Sequence, residues 1–303
     1  MVAGSNPVAP TKHFSRRRSR PLLTWILYLS AGWLSGRLPR WLGLKITFWV
    51  AVIFRWTHPQ TVRIVEHNLE GIERAMGRPY DPLMVPEVFD AFARSVYEFV
   101  SLPHRSTTEI LQRYRVVRGE EFLHRRLGEG LLILSAHLAG WEMGGAWLAE
   151  NLGPFHTVAL EHPSKKVTEY FTQRRAQRGI IVHPLGRSYR PLLEALQRGE
   201  TVVLLCDRNF ASGGTSVEFF GREAKFPDGY LRLARESGAR ILPIFARRVG
   251  SSTELRIEEP LRVEEGGEGE CLRMIVSLLE KHVGRNPEQW ARFTPIWEEE
   301  SDE

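Results

Sequence analysis

A histidine and a glutamate five positions apart, His137 and Glu142, stand where an apolar run gives way to a helix-compatible segment. The run 131–134 is too short for a lone helix and follows Gly130, which favours a buried strand of a parallel sheet. From Trp141 onward the composition favours a helix. His137 is therefore predicted to lie in the turn after a strand, at the edge of an α/β sheet where ligands bind.

The spacing of this pair decides which chemistry it can do. Inside one continuous helix the two side chains would point about 140° apart and could not cooperate. With His137 before the helix and Glu142 in its first turn they can meet, and the helix dipole favours a carboxylate there. A carboxylate bonded to one ring nitrogen fixes the tautomer and raises the basicity of the other. The pair would then be a general base for a substrate hydroxyl; the alternative is a structural histidine that caps a helix.

Charged residues also follow a second predicted strand. Asp207 and Arg208 come directly after the apolar run 201–206. They could line a site, or Arg208 could be the structural partner of an acidic residue such as Glu218 or Asp228.

Two more strand exits carry residues suited to anions. Pro227 and Gly229 stand at the entrance of a predicted helix, where backbone N–H groups point outward and suit an oxyanion; the alternative is a plain turn. Arg187 and Arg190 follow the predicted strand 180–185 and could clamp a phosphate, or be solvated surface arginines. Arg187 and Arg208 are expected at the exits of neighbouring strands.

The elements that position these residues alternate between strand and helix. Strands are predicted at 116–117, 131–135, 156–160, 180–185, 201–207, 216–220, 241–248 and 255–258, and helices near 119 and 141 and at 164–178, 189–197, 229–238 and 268–283. This alternation predicts an α/β fold with a mostly parallel central sheet flanked by helices. Residues 59–115 carry apolar residues at helical spacing instead.

Composition indicates a globular protein with a substantial core, because 43% of its 303 residues are hydrophobic and 25% are charged. Two cysteines, Cys206 and Cys271, exclude a disulfide framework and fit a reducing, cytosol-facing location. We expect no metal site, since His156, His162 and His183 lack ligand-type spacing.

Positive charge is concentrated near the N-terminus, because no acidic residue precedes Glu66 while lysines and arginines recur before it. Residues 1–20 are predicted to be a disordered basic N-terminus, of which the first dozen contribute nothing to the fold and could precede the natural start. Residues 21–115 are predicted to be a helical, membrane-associated region, and 116–303 the α/β core. No segment has the features of a secretory signal.

The region 21–57 is rich in tryptophan and aliphatic residues, but no uncharged run reaches the ~18–20 residues of a spanning helix. Tryptophans at both ends of 41–56, with Lys45 inside, predict helices lying in a bilayer interface. An equal alternative is a pair of amphipathic helices packed on the domain. Nucleic acid is not an expected partner, because the cations lie among large aliphatic residues rather than on a polar face.

Taken in order, these motifs carry a resemblance. The His-x4-Glu pair after a strand, Cys-Asp-Arg at 206–208, Phe-Phe-Gly at 219–221, Phe-Pro-Asp-Gly at 226–229, Leu-Pro-Ile at 242–244 and the ending 286–297 occur together. Over roughly residues 25–297 the chain resembles the bacterial lipid A biosynthesis acyltransferase family. That family includes the actinobacterial phosphatidylinositol mannoside acyltransferases and lies within the glycerolipid acyltransferase superfamily.

The resemblance implies an enzyme on the cytoplasmic face of the plasma (inner) membrane that moves a fatty acyl group to a lipid or glycolipid hydroxyl. The donor would be acyl carrier protein or acyl coenzyme A, with no resident cofactor, and the other partner an anionic bilayer surface. His137 would be the general base and Glu142 its partner, while Asp207, Arg208 and Arg187 would line the site. We expect a monomer.

One departure leaves the acceptor open. Mannoside-type members of the family tend to have Asp-Arg-Asp-Leu where this chain has Asp207-Arg208-Asn209-Phe210, so a second carboxylate is missing.

Two other classes of function stay open. A serine or thiol lipid hydrolase would use Ser135 or Cys206, although Ser135 lacks the Gly-x-Ser-x-Gly elbow of a hydrolase. A non-catalytic peripheral membrane protein would use only the basic, aromatic N-terminal region.

Overall fold

A computed structural model describes residues 21–123, 129–210 and 213–297, and side chains from residue 25 onward within these ranges. The predicted disordered segment 1–20 therefore lies outside the described residues.

Helices make up the first part of the described chain. They are α1 Pro21–Ser35, α2 Arg40–Thr57, α3 Pro59–Ala75, α4 Met84–Ser101 and α5 Thr107–Arg113, with a 3-10 turn at Leu102–His104. Pro59 occupies the first turn of α3, where its missing N–H costs no hydrogen bond. Ser106 and Glu109 form a reciprocal capping box at the start of α5. The predicted helical character of 59–115 is confirmed up to Arg113.

Strands and helices then alternate as predicted. The elements are β1 Tyr114–Arg118, α6 Glu120–Leu123, β2 Leu131–Ser135, α7 Trp141–Leu152, β3 Phe155–Ala159, α8 Lys165–Ala176, β4 Ile180–Pro184, α9 Tyr189–Gln197, β5 Thr201–Leu205, β6 Thr215–Phe219, β7 Arg222–Phe226, α10 Gly229–Ser237, β8 Arg240–Val249, β9 Ser252–Ile257 and α11 Glu268–Val283, followed by a 3-10 turn at Pro287–Gln289. Most predicted bounds differ by one or two residues. β5 ends at Leu205 rather than at 207, so Asp207 lies just beyond the strand.

The central sheet has the order β1-β9-β8-β2-β5-β3-β4, while β6 and β7 form a separate antiparallel hairpin. Its pairs are parallel except β8 with β9. The predicted α/β fold with a mostly parallel sheet flanked by helices is confirmed. β2 lies in the middle, between β5 and β8, so its carboxyl end opens at the centre of the ligand-binding edge.

The sheet is buried on both faces by two apolar clusters. Leu132 and Leu134 of β2 belong to the cluster that contains α9, α10 and α11, whereas Ile133 belongs to the cluster that contains α5 and α7. All three side chains are 0% exposed. This is the alternation expected of a strand covered by helices on both sides, and it explains why the run 131–134 is uniformly apolar.

Helices α1 and α2 dock on the rest of the molecule through small residues. Gly43 of α2 lies against the ring of Tyr97 in α4, where a Cβ would come within 2.3 Å of the ring. Tyr170 of α8 donates a hydrogen bond to the carbonyl of Tyr28 in α1 at 2.8 Å. The inner faces of α1 and α2 therefore pack on the domain, as in the alternative interpretation of region 21–57.

The outer faces of α1 and α2 are apolar and exposed. Trp41, Trp49 and Trp56 are 61%, 62% and 84% exposed. Arg37 lies over the ring of Trp33 at 4.0 Å, a cation–π contact. Within the described ranges no helix is both long and apolar enough to cross a membrane, and membrane association stays a prediction.

Candidate active site

The turn between β2 and α7 carries His137 in a tightly constrained backbone. Ala139 and Gly140 both have positive φ, at 40° and 81°. A Cβ on Gly140 would meet Glu98 Oε2 at 2.6 Å, so glycine is required there on both counts. Tyr114 donates its hydroxyl hydrogen to the Gly140 carbonyl at 2.8 Å. The histidine is thereby delivered from a fixed loop rather than from a flexible one.

The C-terminal segment, residues 286–297, is hydrogen-bonded to this turn. The backbone N–H of Ala291 donates to the His137 carbonyl at 3.0 Å, and that of Ala139 donates to the Gln289 carbonyl at 3.3 Å. The Nε2 group of Gln289 also donates to the Arg248 carbonyl at 3.1 Å, which ties the segment to β8.

Asp207 is the carboxylate that binds His137. The His137 ring nitrogen Nδ1 lies 2.8 Å from Asp207 Oδ1, and the His137 backbone N–H donates to Oδ2 at 3.2 Å. The indole N–H of Trp290 donates to the same Oδ2 at 2.7 Å. The Asp207 side chain is 0% exposed, so these donors replace water around its charge.

Burial and charge set the protonation states of the two groups. Burial alone would raise the pKa of Asp207, but His137, Arg208 and the Trp290 N–H together hold that pKa well below its usual range. Burial lowers the pKa of His137, with Arg208 acting in the same direction and Asp207 partly offsetting both. At neutral pH the pair is therefore an ionised carboxylate and a neutral imidazole.

This assignment fixes the tautomer. An ionised carboxylate only accepts hydrogen bonds, so Nδ1 of His137 carries the hydrogen and donates it to Asp207. Nε2 is then a lone-pair nitrogen, and no residue of the described chain bonds to it. The ring of Trp141 lies edge-on at 5.1 Å and limits the orientations open to the imidazole. The arrangement is that of an oriented general base.

Glu142 does not bind His137, and the predicted contact between them is wrong. Its carboxylate accepts two hydrogen bonds from Arg175 of α8, from Nε at 3.1 Å and from Nη2. The helix begins at Trp141, so Glu142 lies on a face turned toward α8, while β5 brings Asp207 beside the end of β2. The Glu142 charge still raises the pKa of His137, with a smaller effect than that of Asp207.

Arg208 lies at the site but pairs with neither acidic residue considered for it. Its Nη2 donates to the Ala291 carbonyl, whereas Asp228 accepts from the Thr215 hydroxyl at 2.8 Å. Burial lowers the pKa of Arg208, and the Asp207 charge acts against that. Its Nε is buried, and no acceptor for it exists among the residues described. Arg208 thus presents positive charge and an unused donor beside His137.

Arg187 lies further from His137 and Arg208 than predicted. It follows β4, a strand at the edge of the sheet. β3 lies between β4 and β5, and both β3 and β5 lie between β4 and β2. β4 lies two strand spacings from β5 and three, or about 14 Å, from β2. The expectation that Arg187 and Arg208 leave neighbouring strands is therefore wrong. Arg187 is exposed, and Arg190 pairs with Glu194 of its own helix at 2.9 Å. A substrate-binding role for Arg187 stays a prediction.

Pro227 and Gly229 lie at the start of α10, as predicted. The preceding residue, Phe226, lines a narrow crevice together with Asp207, Trp290 and Arg292. A Cβ on Gly229 would meet open space. The use of this helix entrance as an oxyanion site stays a prediction.

The sequence patterns missed the contribution of the C-terminal segment. Besides Trp290, Arg292 donates to the Asp207 carbonyl at 2.7 Å and to the carbonyls of Thr294 and Pro295. Burial lowers the pKa of Arg292 to about 10. The run 286–297 was visible only as part of the family pattern, because more than 80 positions separate it from Asp207 in sequence.

Within the described ranges, neither the Cys206 thiol nor the Ser135 hydroxyl is hydrogen-bonded to His137. Cys206 is buried, and burial raises the pKa of its thiol far above the usual value. The Ser135 carbonyl, not its hydroxyl, takes part in the contacts here, accepting from the Cys206 N–H at 2.9 Å. His156 bonds to His183 at 2.9 Å and to Glu200 at 2.8 Å. In the described ranges no three or more His, Cys, Asp or Glu side chains are grouped to hold a metal ion.

Comparison with known proteins identifies the family of this chain. The model of the bacterial lipid A biosynthesis acyltransferases matches residues 11–299. A phosphatidylinositol mannoside acyltransferase of Mycobacterium tuberculosis (strain CDC 1551 / Oshkosh) is 26% identical, with 98% of this chain and 95% of that protein aligned. A protein of the same name from Mycolicibacterium smegmatis is 29% identical over 56% of this chain and 57% of its own length. The chain therefore belongs to the bacterial lipid A biosynthesis acyltransferase family, whose members transfer acyl groups in lipid biosynthesis.

Proposed function

We propose that this protein transfers a fatty acyl group from a thioester to a hydroxyl group of a phosphorylated glycolipid. The observation that carries the proposal is the bond between His137 and Asp207, which leaves Nε2 free at the ligand-binding edge of the sheet. The family supplies the reaction class. The name of the mycobacterial relatives, phosphatidylinositol mannoside acyltransferase, suggests the class of acceptor.

In the proposed reaction, Nε2 of His137 takes the proton of the acceptor hydroxyl as its oxygen attacks the thioester carbonyl carbon. The carbonyl electrons move onto oxygen and give a tetrahedral oxyanion. When this intermediate collapses, the C–S bond breaks and the imidazolium gives its proton to the departing thiolate. The products are the acyl ester and a free thiol, and His137 returns to its neutral form.

Asp207 has two tasks in this scheme. It holds the Nδ1 hydrogen in place, so the lone pair of His137 stays on Nε2, and its charge stabilises the imidazolium that forms during the transfer. Glu142 is assigned instead to holding Arg175 between α7 and α8, where the guanidinium also lies over the rings of Phe99 and Phe171.

Negative charge in the bound substrates needs a nearby cation. Arg208 suits this role because its Nε has no acceptor within the part of the chain that is described, and because its charge reaches His137. A guanidinium offers paired donors that lysine cannot reproduce. The backbone N–H groups of Asp228 and Gly229, at the start of α10, are assigned as a second group of donors for the oxyanion.

The donor and the location follow the family. We assign the thioester to acyl coenzyme A or acyl carrier protein, the location to the cytoplasmic face of the plasma membrane and the active species to a monomer without a resident cofactor. The exposed tryptophans of α1 and α2, with Arg37 and Lys45 among them, suit a bilayer interface. Lipid acceptors would then reach the protein from the membrane on which it lies.

Direct measurement of acyl transfer tests the proposal. The full chain is incubated with acyl coenzyme A and phosphatidylinositol mannoside in mixed micelles, and both the thiol released and the lipid ester formed are quantified. His137→Ala should lower the rate by at least about 10²-fold at an unchanged melting temperature. A folded His137→Ala variant with near-normal turnover would refute the mechanism.

Two controls separate the alternatives. Ser135→Ala and Cys206→Ala should retain acyl transfer, because neither side chain is the proposed nucleophile. Loss of all activity in either variant, with free fatty acid as the wild-type product, would favour a hydrolase. Vesicle binding with no acylated product from any lipid acceptor would favour a non-catalytic membrane protein.

A further inference from the structure

A second cavity lies next to the catalytic turn and is lined by arginines. Its lining residues are Leu138, Phe245, Ala246, Arg247, Arg256, His282, Arg285, Asn286 and Gln289. Leu138 directly follows His137, and consecutive Cα atoms are 3.8 Å apart. The cavity and His137 therefore share one turn, although Asp207 lines a different crevice.

The fold brings the three arginines together from separate elements. Arg247 of β8 and Arg256 of β9 lie on the same face of this antiparallel pair, since Phe245 is opposite Arg256 and Arg247 is opposite Glu254. Arg285 comes from the loop after α11, which ends at Val283. Arg247 and Arg285 are exposed, so the mouth of the cavity is accessible to solvent.

None of these arginines has a hydrogen-bond or ion-pair partner within the described ranges, and no carboxylate lines the cavity. The acidic residues nearby bind other groups. Glu254 pairs with Arg115 at 2.6 Å, Glu258 with Lys281 at 3.0 Å, and Glu288 accepts from the Asn286 amide at 3.0 Å. The lining of this cavity therefore carries positive charge that attracts an anion.

An unused acceptor accompanies the cations. Asn286 Oδ1 is buried and has no donor among the residues described. Asn286 lines the cavity, so this unpartnered amide oxygen offers a place for a hydroxyl hydrogen. Positive charge beside a hydroxyl acceptor matches the chemistry of a phosphate ester of a polyol or sugar.

We propose that Arg247, Arg256 and Arg285 form a phosphate-binding subsite that positions a phosphate ester next to His137. The assignment of that phosphate to a substrate rests on the proposed acyl transfer, whereas the binding of phosphate does not. Either the headgroup of the acceptor lipid or the phosphate-bearing part of the acyl donor would supply the group. Bidentate contacts from arginine would fix its orientation relative to Nε2.

Phosphate binding is measured first, by calorimetry on the full chain with inorganic phosphate and with coenzyme A. Arg247→Gln combined with Arg285→Gln should weaken phosphate binding at least about tenfold, since two charge-assisted hydrogen-bond donors are lost. Arg273→Gln is the matched control, because Arg273 is an exposed arginine of α11 outside the cavity. Equal phosphate affinity in the double variant and the wild type would overturn the subsite.

Steady-state kinetics on the same proteins then identify the source of the phosphate. A raised KM for the lipid acceptor alone assigns the subsite to its headgroup, and a raised KM for acyl coenzyme A alone assigns it to the donor. Weaker phosphate binding with both KM values unchanged would overturn the assignment to a substrate. If the wild-type protein bound phosphate here but transferred no acyl group, the proposed function would fail while the subsite stood.

Discussion

Replacing Asp207 by asparagine separates the two carboxylates that could assist His137. The wild-type carboxylate accepts three hydrogen bonds, from the Nδ1–H and the backbone N–H of His137 and from the Trp290 indole. Asparagine keeps the shape but has a single acceptor oxygen. Its oxygen can accept from the two donors at the Oδ2 position, the His137 backbone N–H and the Trp290 indole, only if its NH₂ group faces Nδ1 of His137.

That orientation reverses the tautomer of the base. An NH₂ group facing Nδ1 donates to it, so the imidazole hydrogen moves to Nε2 and the lone pair is lost from the catalytic side. The opposite orientation leaves two buried N–H groups without an acceptor, at about 1–3 kcal/mol each. The active tautomer of Asp207→Asn is then disfavoured by roughly 2–6 kcal/mol, which is about 30-fold to 10⁴-fold in rate at about 1.4 kcal/mol per tenfold.

The control is Glu142→Gln, which removes a charge near His137 without touching its hydrogen bonds. Glutamine keeps one acceptor oxygen for Arg175, so the charge pairing and one of the two hydrogen bonds are lost. The side chains of Arg175 and Glu142 are largely buried, with exposed fractions of 16% and 15%. This variant should lower the melting temperature and reduce kcat much less than Asp207→Asn. Thiol release and ester formation are measured for both variants, together with thermal unfolding.

The opposite ranking would refute the assignment of the base. If Glu142→Gln lost as much kcat as His137→Ala at an unchanged melting temperature while Asp207→Asn stayed near wild type, Glu142 would be the catalytic partner. A third variant, Asp207→Glu, tests position, because it keeps the charge but moves the carboxylate by about one bond length. Its recovery of only part of the activity would support the 2.8 Å contact as the working geometry.

Four further outcomes are expected. Because burial lowers the pKa of His137 and the neutral ring is the active form, kcat/KM should fall only below pH 6.5 on acidification; an acid limb above pH 7 contradicts this. Burial lowers the pKa of His282 to about 4, so the unfolded chain alone binds a proton below pH 6.5, and urea unfolding should show about 3 kcal/mol lost between pH 6.5 and 4. His282→Gln should remove that loss. Trp49→Ser with Trp56→Ser should weaken vesicle binding at least about tenfold at high salt, since burying an aromatic side chain contributes about 1.5–3 kcal/mol; equal pelleting would exclude the interface role. Arg208→Lys should raise a substrate KM about tenfold, and unchanged KM values would make Arg208 purely structural.

The fold could be predicted from the sequence because its signals are local. β2 is uniformly apolar since helices cover both of its faces, and α9 and α11 match their predicted bounds because amphipathic spacing defines them. The end of β5 was misplaced by two residues. Cys206 is as buried as the strand itself and its N–H still bonds to the Ser135 carbonyl, so composition does not mark where the regular ladder stops.

The partner of the base could not be predicted from spacing, because the contact is not local. His137 and Glu142 are only five positions apart, but the turn through the left-handed residues Ala139 and Gly140 places Trp141 beside the ring, and Glu142 contacts Arg175 of α8 instead. Asp207 is 70 positions distant and is brought to the base by the pairing of β5 with β2, in which Ser135 is opposite Leu205. Both residues leave adjacent parallel strands two positions after the ladder ends. Strand order, which the sequence does not state, therefore selects the carboxylate.

The C-terminal segment, residues 286–297, holds His137 and Asp207 in their relative positions. One backbone stretch bonds the His137 carbonyl through Ala291, the Asp207 carboxylate through Trp290 and the Asp207 carbonyl through Arg292. The exits of β2 and β5 are thus fixed to each other by a third element as well as by their own hydrogen bonds. A small displacement of either exit would lengthen the 2.8 Å contact that sets the tautomer, and general bases lose efficiency steeply when misplaced. The segment 286–297 is therefore part of the geometry that the proposed mechanism requires, although that mechanism gives none of its groups contact with the reacting atoms.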